Sequence, residues 1–334
     1  MRIFWDDRQR LHAPAMELHN GGFVPFAETP VRADAILAVL GPAEAPPDLG
    51  EAPLRRVHSD DYLRFLRTAH AAWRAAGRDG DAAGYVWPVV RRRPTRLARI
   101  DALLGRYSYD ASTPVAAGTW EAAYWSTQSA LAATGAVLDG APTAFALCRP
   151  PGHHCGADYM GGYCYLNAGA VAAEAAVAAG VRRVAILDID YHHGNGTQDI
   201  FYARGDVLFV SIHADPATDY PFYWGHADET GEGEGEGATL NLPLPRGTAI
   251  ATYERALETA LERIATFGAE LLVCSYGADT FVGDPISFFA LETADYAAIG
   301  RRIAAVGLPT AVLMEGGYAV DTLGANVAAL LSGF

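Results

Sequence analysis

The chain predicts an α/β fold with a parallel sheet covered on both faces, and three observations predict it. Short, continuous apolar runs alternate with helical stretches. Four of these runs are followed at once by an unusual polar cluster, as in an open sheet whose ligands gather at the carboxyl ends of its strands. No repeat of about 20 to 50 residues recurs and no long linker divides the 334 residues, so a single domain spanning residues 1–334 is expected.

Residues 1–140 carry Pro and Arg clusters (Pro42 to Pro53, Arg91-Arg92-Arg93-Pro94) that separate helical pieces such as Tyr62 to Trp73 and Trp120 to Leu138. These predict loops and peripheral helices around the sheet. The run Ala144-Phe145-Ala146-Leu147-Cys148 reads as the first core strand. Ala168 to Ala179 is an Ala-rich helix that Gly180 stops. Val184 to Leu187 and Val207 to Ile212 are the next strands. Ile250 to Phe267 has apolar positions at helical spacing with Glu and Arg between them, and Leu271 to Cys274 and Ala311 to Met314 complete the series. The tract Gly231 to Gly237 alternates Gly with Glu and predicts a surface loop.

Composition excludes several classes of function. Hydrophobic residues make up 51% of the chain, enough for a large core. The net charge of -14 argues against a nucleic-acid surface and modestly favours a cationic ligand; the 25 basic residues are all arginine. Apolar stretches are short, and the longest is interrupted by Glu174, so no membrane span is expected. The start, Met1 to Asp7, turns acidic at once and lacks a signal-peptide core, which predicts a cytoplasmic protein. Cys148, Cys155, Cys164 and Cys274 are too few and too irregular for a disulfide framework or a zinc finger, so reduced thiols are expected.

The polar clusters carry the chemistry. Asp188-Ile189-Asp190-Tyr191-His192-His193 directly follows a buried strand, where uncompensated polar groups cost several kcal/mol. Asp190 and His192 sit two apart and face the same side of an extended chain, so they can share one divalent cation. With Asp279, after the Leu271 strand, they offer one nitrogen and two carboxylates, a set suited to Zn²⁺ or another first-row ion with positions left open for water and substrate. His153 and His154, after the Cys148 strand, supply imidazoles for proton transfer. Tyr318 follows Gly316-Gly317 and can bring a phenol to a developing oxyanion. Asp188 and Asn195 each suit one imidazole of the pair, with the Asp partner raising basicity more than the Asn. Singly, each feature has a structural explanation, such as a turn at Gly-Gly-Tyr or an N-cap at Asp279. Their conjunction at four strand ends argues for a catalytic centre.

Arg149-Pro150-Pro151-Gly152-His153-His154, Gly161 to Asn167, Asp188 to Gln198, Gly277-Ala278-Asp279 and Glu315-Gly316-Gly317-Tyr318 together resemble the signature of the histone deacetylase superfamily. The resemblance implies an arginase-deacetylase fold with a central eight-stranded parallel sheet. It implies Zn²⁺, with Fe²⁺ as the alternative ion, held by Asp190, His192 and Asp279. His154 would be the general base and acid, His153 with Asp188 its electrostatic partner, and Tyr318 the group that polarises the amide carbonyl. It also implies K⁺ at Asp188, Asp190, His192, Ser211 and Ile212, and a second K⁺ near Phe201, Arg204 and Val207.

Within the superfamily the chain is most similar to bacterial acetylpolyamine amidohydrolases, through Arg2 to Pro30, Pro114 to Trp120, His213 to Pro216, Asp284 to Phe289 and an insertion near residues 75–118. That likeness implies a homodimer whose insertion narrows the substrate tunnel, with Gly162, Tyr163 and Tyr220 at its wall. One departure stands out: Ser112 and Asp101 occupy positions where the subgroup carries glutamates for a distal ammonium, and the insertion is rich in arginine (Arg91, Arg92, Arg93, Arg96, Arg99 and Arg106). The expectation is a metal-dependent amide hydrolase acting on a slender acylated amine such as an acetylated polyamine. A lysine deacetylase, a deacylase of another small molecule and a non-catalytic binding module of the same fold are the alternatives.

Overall fold

Residues 1–86 and 96–334 are described by the computed structural model, so Arg91, Arg92 and Arg93 lie outside the described residues. In chain order the strands are β1 (Arg2–Phe4), β2 (Met16–His19), β3 (Gly22–Pro25), β4 (Thr143–Ala146), β5 (Val184–Asp188), β6 (Val207–Ala214), β7 (Thr239–Leu244), β8 (Leu271–Tyr276) and β9 (Thr310–Met314). The helices are α1 (Val31–Leu40), α2 (Asp60–Ala75), α3 (Ile100–Arg106), α4 (Thr119–Leu138), α5 (Ala168–Ala178), α6 (Asn195–Phe201), α7 (Ile250–Phe267), α8 (Thr293–Ala304) and α9 (Val320–Leu331). Among the described residues the main sheet has seven strands in the order β1-β4-β9-β8-β5-β6-β7, every neighbouring pair parallel.

Seven strands correct the expected eight, and the reason is visible at one edge. Beyond β1, Phe4 makes a single parallel bridge to Glu44. Pro42, Pro46 and Pro47 flank that bridge, and proline cannot donate to a ladder, so no strand grows there. The opposite edge, β7, carries Pro243 and pairs only with β6, which tolerates it. Its half-polar sequence, Thr-Leu-Asn-Leu-Pro-Leu, hides it from a search for continuous apolar runs.

Alternation along the strands divides the core in two. In β4, Ala144 and Ala146 pack with residues of α2, α4 and α5, whereas Phe145 faces the opposite layer of α1, α7, α8 and α9. Small residues on α5 let that helix lie close to the sheet, and Asn167 caps it by accepting the Ala170 N–H at 2.8 Å. Helix α7 ends at Gly268, whose left-handed φ of 70° suits a glycine. All four cysteines are buried and unpaired. No described helix is long and apolar enough to cross a membrane.

The strand order fixes where a site can form. From β5 the chain adds β6 and β7 on one side, while β8 and β9 continue on the other. The crevice at the carboxyl ends of β5 and β8 is therefore the topological switch point, and the polar clusters following β4, β5, β8 and β9 all open onto it.

Candidate active site

Main-chain bonds build the metal-ligand cluster from three strand ends. Asp190 Oδ1 accepts from the His192 N–H at 2.8 Å and Oδ2 from the Gly316 N–H at 2.8 Å, while Asp279 Oδ1 accepts from the Tyr191 N–H at 2.9 Å. These bonds fix both carboxylates beside the imidazole of His192. Its Nδ1 lies 3.1 Å from Asp279 Oδ2 and 3.4 Å from Asp190 Oδ1. One donor atom from each of the three residues lies within 4.8 Å of the others. Glycine is required around them: a Cβ at Gly277 would come 2.1 Å from Asp190 Oδ2, and one at Gly316 would come 2.6 Å from Asp279 Oδ2.

Electrostatics make the same point. Both carboxylates are fully buried, and burial together with the neighbouring Asp190 charge pushes Asp279 up to about 7. Burial also opposes ionisation of Asp190, but His153 and His192 outweigh it and hold that carboxyl low. Two buried carboxylates and an imidazole converging on one point suit a divalent cation, which would let both acids ionise together. The donor set fits zinc chemistry: one nitrogen and two oxygens, with coordination positions left open.

The two imidazoles next to this cluster have different partners. His153 Nδ1 is 3.0 Å from Asp188 Oδ2, and His154 Nδ1 is 2.7 Å from Asn195 Oδ1. Burial lowers the basicity of His153, yet the charges of Asp188 and Asp190 prevail and raise it to about 10. Burial, reinforced by the charges of His153 and His192, drives His154 well below the usual range. The outcome is a cationic and a neutral imidazole with ring centroids 4.0 Å apart. Their loop is held from below, because Glu315 Oε2 accepts from the Gly152 N–H at 2.7 Å and the His153 N–H at 3.2 Å.

Tyr318 stands across the cavity from the imidazoles, with the Arg32 guanidinium 4.9 Å from its ring. Arg32 is buried and donates to the carbonyls of Gly317 and Glu315 at 2.7 Å each, bracing the turn that carries the phenol. The Tyr318 N–H donates to Asp284 Oδ2 at 2.7 Å. A cavity of about 600 Å³ is lined by His154, His192, Tyr318, Tyr163 and Tyr220. Gly162 lines it too, and a Cβ there would sit 2.2 Å from the His154 ring.

The substrate residues expected from the sequence do not all meet here. Ser112 lines the cavity, where its hydroxyl donates to Asp110 Oδ2 at 3.1 Å. Asp101 is not among the residues of its own chain that line it. Arg78 and Arg99 take up its carboxylate, Arg99 Nη2 at 2.5 Å, because the insertion folds the acid back onto its own arginines. Ser211 pairs in register with Asp188 across β5 and β6, beside Ile212, and its hydroxyl bonds His213 Nδ1 at 2.8 Å. Phe201 and Val207 are buried, and Arg204 pairs with Glu174 and Asp206. Four residues that the sequence did not single out for roles support the site: Arg32, Glu17, Tyr109 and Asp110. Asp110 lies two residues before Ser112, and charge within a cavity-lining segment was the signal that would have found it.

Comparison with known proteins agrees with this geometry. A model of the histone deacetylase domain matches residues 26–334. The chain is 49% identical to acetylpolyamine amidohydrolase 2 of Pseudomonas aeruginosa, over 100% of this chain and 98% of that protein. It is 47% identical to the acetylpolyamine amidohydrolase of Mycoplana ramosa, over 100% and 99%. The crystal structure of an acetylpolyamine aminohydrolase from Burkholderia pseudomallei superposes with a TM-score of 0.96 at 44% identity, covering 100% of this chain and 98% of that one. With the site geometry and these likenesses together, the chain belongs to the histone deacetylase family.

Proposed function

We propose that the protein is a zinc-dependent amidohydrolase that removes an acetyl or similarly short acyl group from a slender primary amine, an acetylated polyamine first among them. The observation that carries the reading is the Asp190, His192 and Asp279 donor set beside a cavity lined by His192, His154 and Tyr318. The ion, when bound, supplies Lewis acidity toward the amide carbonyl and the attacking water.

The chain's own groups account for the rest. His154 donates its Nδ1 proton to Asn195, which leaves the Nε2 lone pair to take a proton from water and return it to the departing amine nitrogen. His153, held cationic beside Asp188, stabilises the negative charge that develops next to it. The Tyr318 phenol, kept protonated chiefly by burial, donates to the carbonyl oxygen as it gains charge. Tyr163 and Tyr220 flank the acyl-bearing chain and favour a thin, unbranched amine. The resemblance adds K⁺ at Asp188, Asp190, His192, Ser211 and Ile212, a weaker K⁺ near Phe201, Arg204 and Val207, and a cytoplasmic homodimer.

Polyamine selectivity is supported by the names of the relatives and by Asp110, a cavity-lining carboxylate whose Oδ1 is buried without a hydrogen-bond partner among the described residues. A second reading, deacetylation of lysine in peptides, is favoured by Ser112, which carries no charge, and by Asp101, which is neutralised by arginines. Measuring kcat/KM on acetylputrescine, acetylspermidine and an acetyl-lysine peptide decides between them. The polyamine substrates are expected to lead, and a clear preference for the peptide would reject that assignment. Full activity in Tyr318→Phe would reject the hydrolytic scheme itself.

A further inference from the structure

Tyr109 has no place in the scheme above, yet its hydroxyl reaches the scheme's proton carrier through one residue. It donates to Asn195 Oδ1 at 3.3 Å, the same amide oxygen to which His154 Nδ1 donates at 2.7 Å. On its other side it is hydrogen-bonded to the Tyr220 hydroxyl, which lies 2.8 Å from Asp110 Oδ2. A continuous chain of polar groups thus runs from the cavity wall to His154: Asp110, Tyr220, Tyr109 and Asn195.

The ring is fixed in place. It meets Tyr159 edge-on at 5.6 Å and Trp224 at 5.5 Å, and lies nearly parallel to Tyr220 at 6.0 Å. A Cβ on Gly161 would come 2.1 Å from Tyr109 Cε1, so a glycine there makes room for the ring.

Counting hydrogens shows what the arrangement achieves. Two phenolic hydrogens serve three contacts: Asp110 to Tyr220, Tyr220 to Tyr109, and Tyr109 to Asn195. Asp110 Oδ2 already accepts from the Gly162 N–H at 2.6 Å and from Ser112 at 3.1 Å, so it does not depend on Tyr220. The one Tyr220 hydrogen is shared between Asp110 Oδ2 at 2.8 Å and the Tyr109 oxygen, and the Tyr109 hydrogen goes to Asn195 Oδ1. With two donors converging on Oδ1, the amide of Asn195 cannot turn over without setting its NH₂ against both of them. Its Nδ2 instead faces the His154 carbonyl at 3.5 Å. An amide locked this way accepts only from an imidazole protonated on Nδ1.

We infer that Tyr109 is a positioning residue for amide hydrolysis: acting through Asn195, it holds His154 in the tautomer whose Nε2 lone pair faces the cavity, and it ties that state to the wall at Tyr220. The inference rests on the amidohydrolase reading for its kinetic test. A tyrosine that served only as packing would be replaced by phenylalanine without loss, because the ring is kept.

The test is Tyr109→Phe in the zinc-loaded full-length enzyme, with kcat and KM measured separately on acetylputrescine and on an acetyl-lysine reporter. Loss of one hydrogen bond to the positioning amide should lower kcat about fivefold on both substrates while KM stays within about twofold. In an Asn195→Ala background the same change should have no further effect, since its route to His154 is gone. An unchanged kcat in Tyr109→Phe, or a loss that multiplies in full with that of Asn195→Ala, overturns the inference. If the variant does not fold, ¹⁵N shifts of His154 in the wild-type enzyme decide, and a proton on Nε2 in place of Nδ1 overturns it. Wild-type enzyme inactive on every acylated amine would reject the hydrolase reading, and the tautomer measurement would still judge Tyr109.

Discussion

Replacing Arg32 by methionine keeps the volume of the side chain and removes every donor it offers. In the native protein the guanidinium is 2% exposed and donates to the carbonyls of Gly317 and Glu315 and to Glu28 Oε1, each at 2.7 Å. The substitution strands two buried carbonyls, at about 1–3 kcal/mol each. It does not strand Glu28, whose Oε1 keeps Arg149 at 3.0 Å. The expected destabilisation is about 2–6 kcal/mol. At about 2 °C per kcal/mol for a chain of this size, Tm should fall by roughly 4–12 °C. Activity should fall as well, because the turn bearing Tyr318 loses its brace. Scanning calorimetry at one fixed scan rate, with kcat measured on the same zinc-loaded sample, makes the comparison. A Tm within about 2 °C of wild type would refute the energetic argument. Arg32→Lys should recover little, since an ammonium cannot span three acceptors arranged for a planar fork.

Removal of metal by a chelator should abolish hydrolysis and lower Tm, both restored by Zn²⁺; a chelated enzyme that remains fully active would contradict the metal-site assignment. Glu17 gives a pH signature, because burial lifts its carboxyl from 4.5 to about 7 despite the hydrogen bond from the Tyr163 hydroxyl at 2.9 Å. Between those two values the unfolded chain has lost this proton and the native protein has kept it, so its contribution to stability falls as pH rises and levels off above about 7. Glu17→Gln should therefore gain Tm relative to wild type between pH 5 and pH 8; a constant difference would rule this out. Ser112→Glu places a carboxylate at the cavity wall and should raise the preference for acetylspermidine over an acetyl-lysine peptide about fivefold, on the order of 1 kcal/mol for one solvent-screened charge pair. An unchanged ratio would show that position 112 does not read the distal ammonium.

The alternating pattern of the chain made most of the fold legible. The runs at β4, β5, β6, β8 and β9 are continuous and apolar because both faces of those strands are buried, and that is the signal a sequence carries most clearly. Edge elements escaped for the opposite reason. Strand β1 has three residues, and β7 is half polar with a proline, so neither shows the pattern of a buried strand. That Asp190, His192, Asp279, His153, His154 and Tyr318 come together was readable because each follows the end of a buried strand, where polar residues stand out against the apolar run. Arg32, Glu17 and Tyr109 were not. Each acts through a long-range contact, Arg32 to Gly317 across 285 positions and Tyr109 to Asn195 across 86, and nothing local to the sequence records such a pairing. Asp101 shows a further limit: its position matches a substrate-facing residue of the subgroup, and only folding reveals that Arg78 and Arg99 sit beside it.

The acids of the candidate site also hold the strand ends together. Asp190 leaves β5 and bonds the N–H of Gly316 after β9; Asp279 leaves β8 and bonds the N–H of Tyr191 after β5; Glu315, after β9, bonds two N–H groups after β4. Each carboxylate therefore ties one loop to another across the carboxyl edge of the sheet. Loops at that edge have no ladder partners, and without these ties their buried N–H groups would be unsatisfied at a cost of about 1–3 kcal/mol each. The arrangement explains why glycines recur at positions 277 and 316: a carboxylate that accepts from a neighbouring main chain must approach it closely, and a Cβ at either position would collide with Asp190 or Asp279. The buried carboxylates are thus held by the backbone that surrounds them. Motifs distant in sequence become mutually dependent, because each loop's geometry is set by an acid belonging to another.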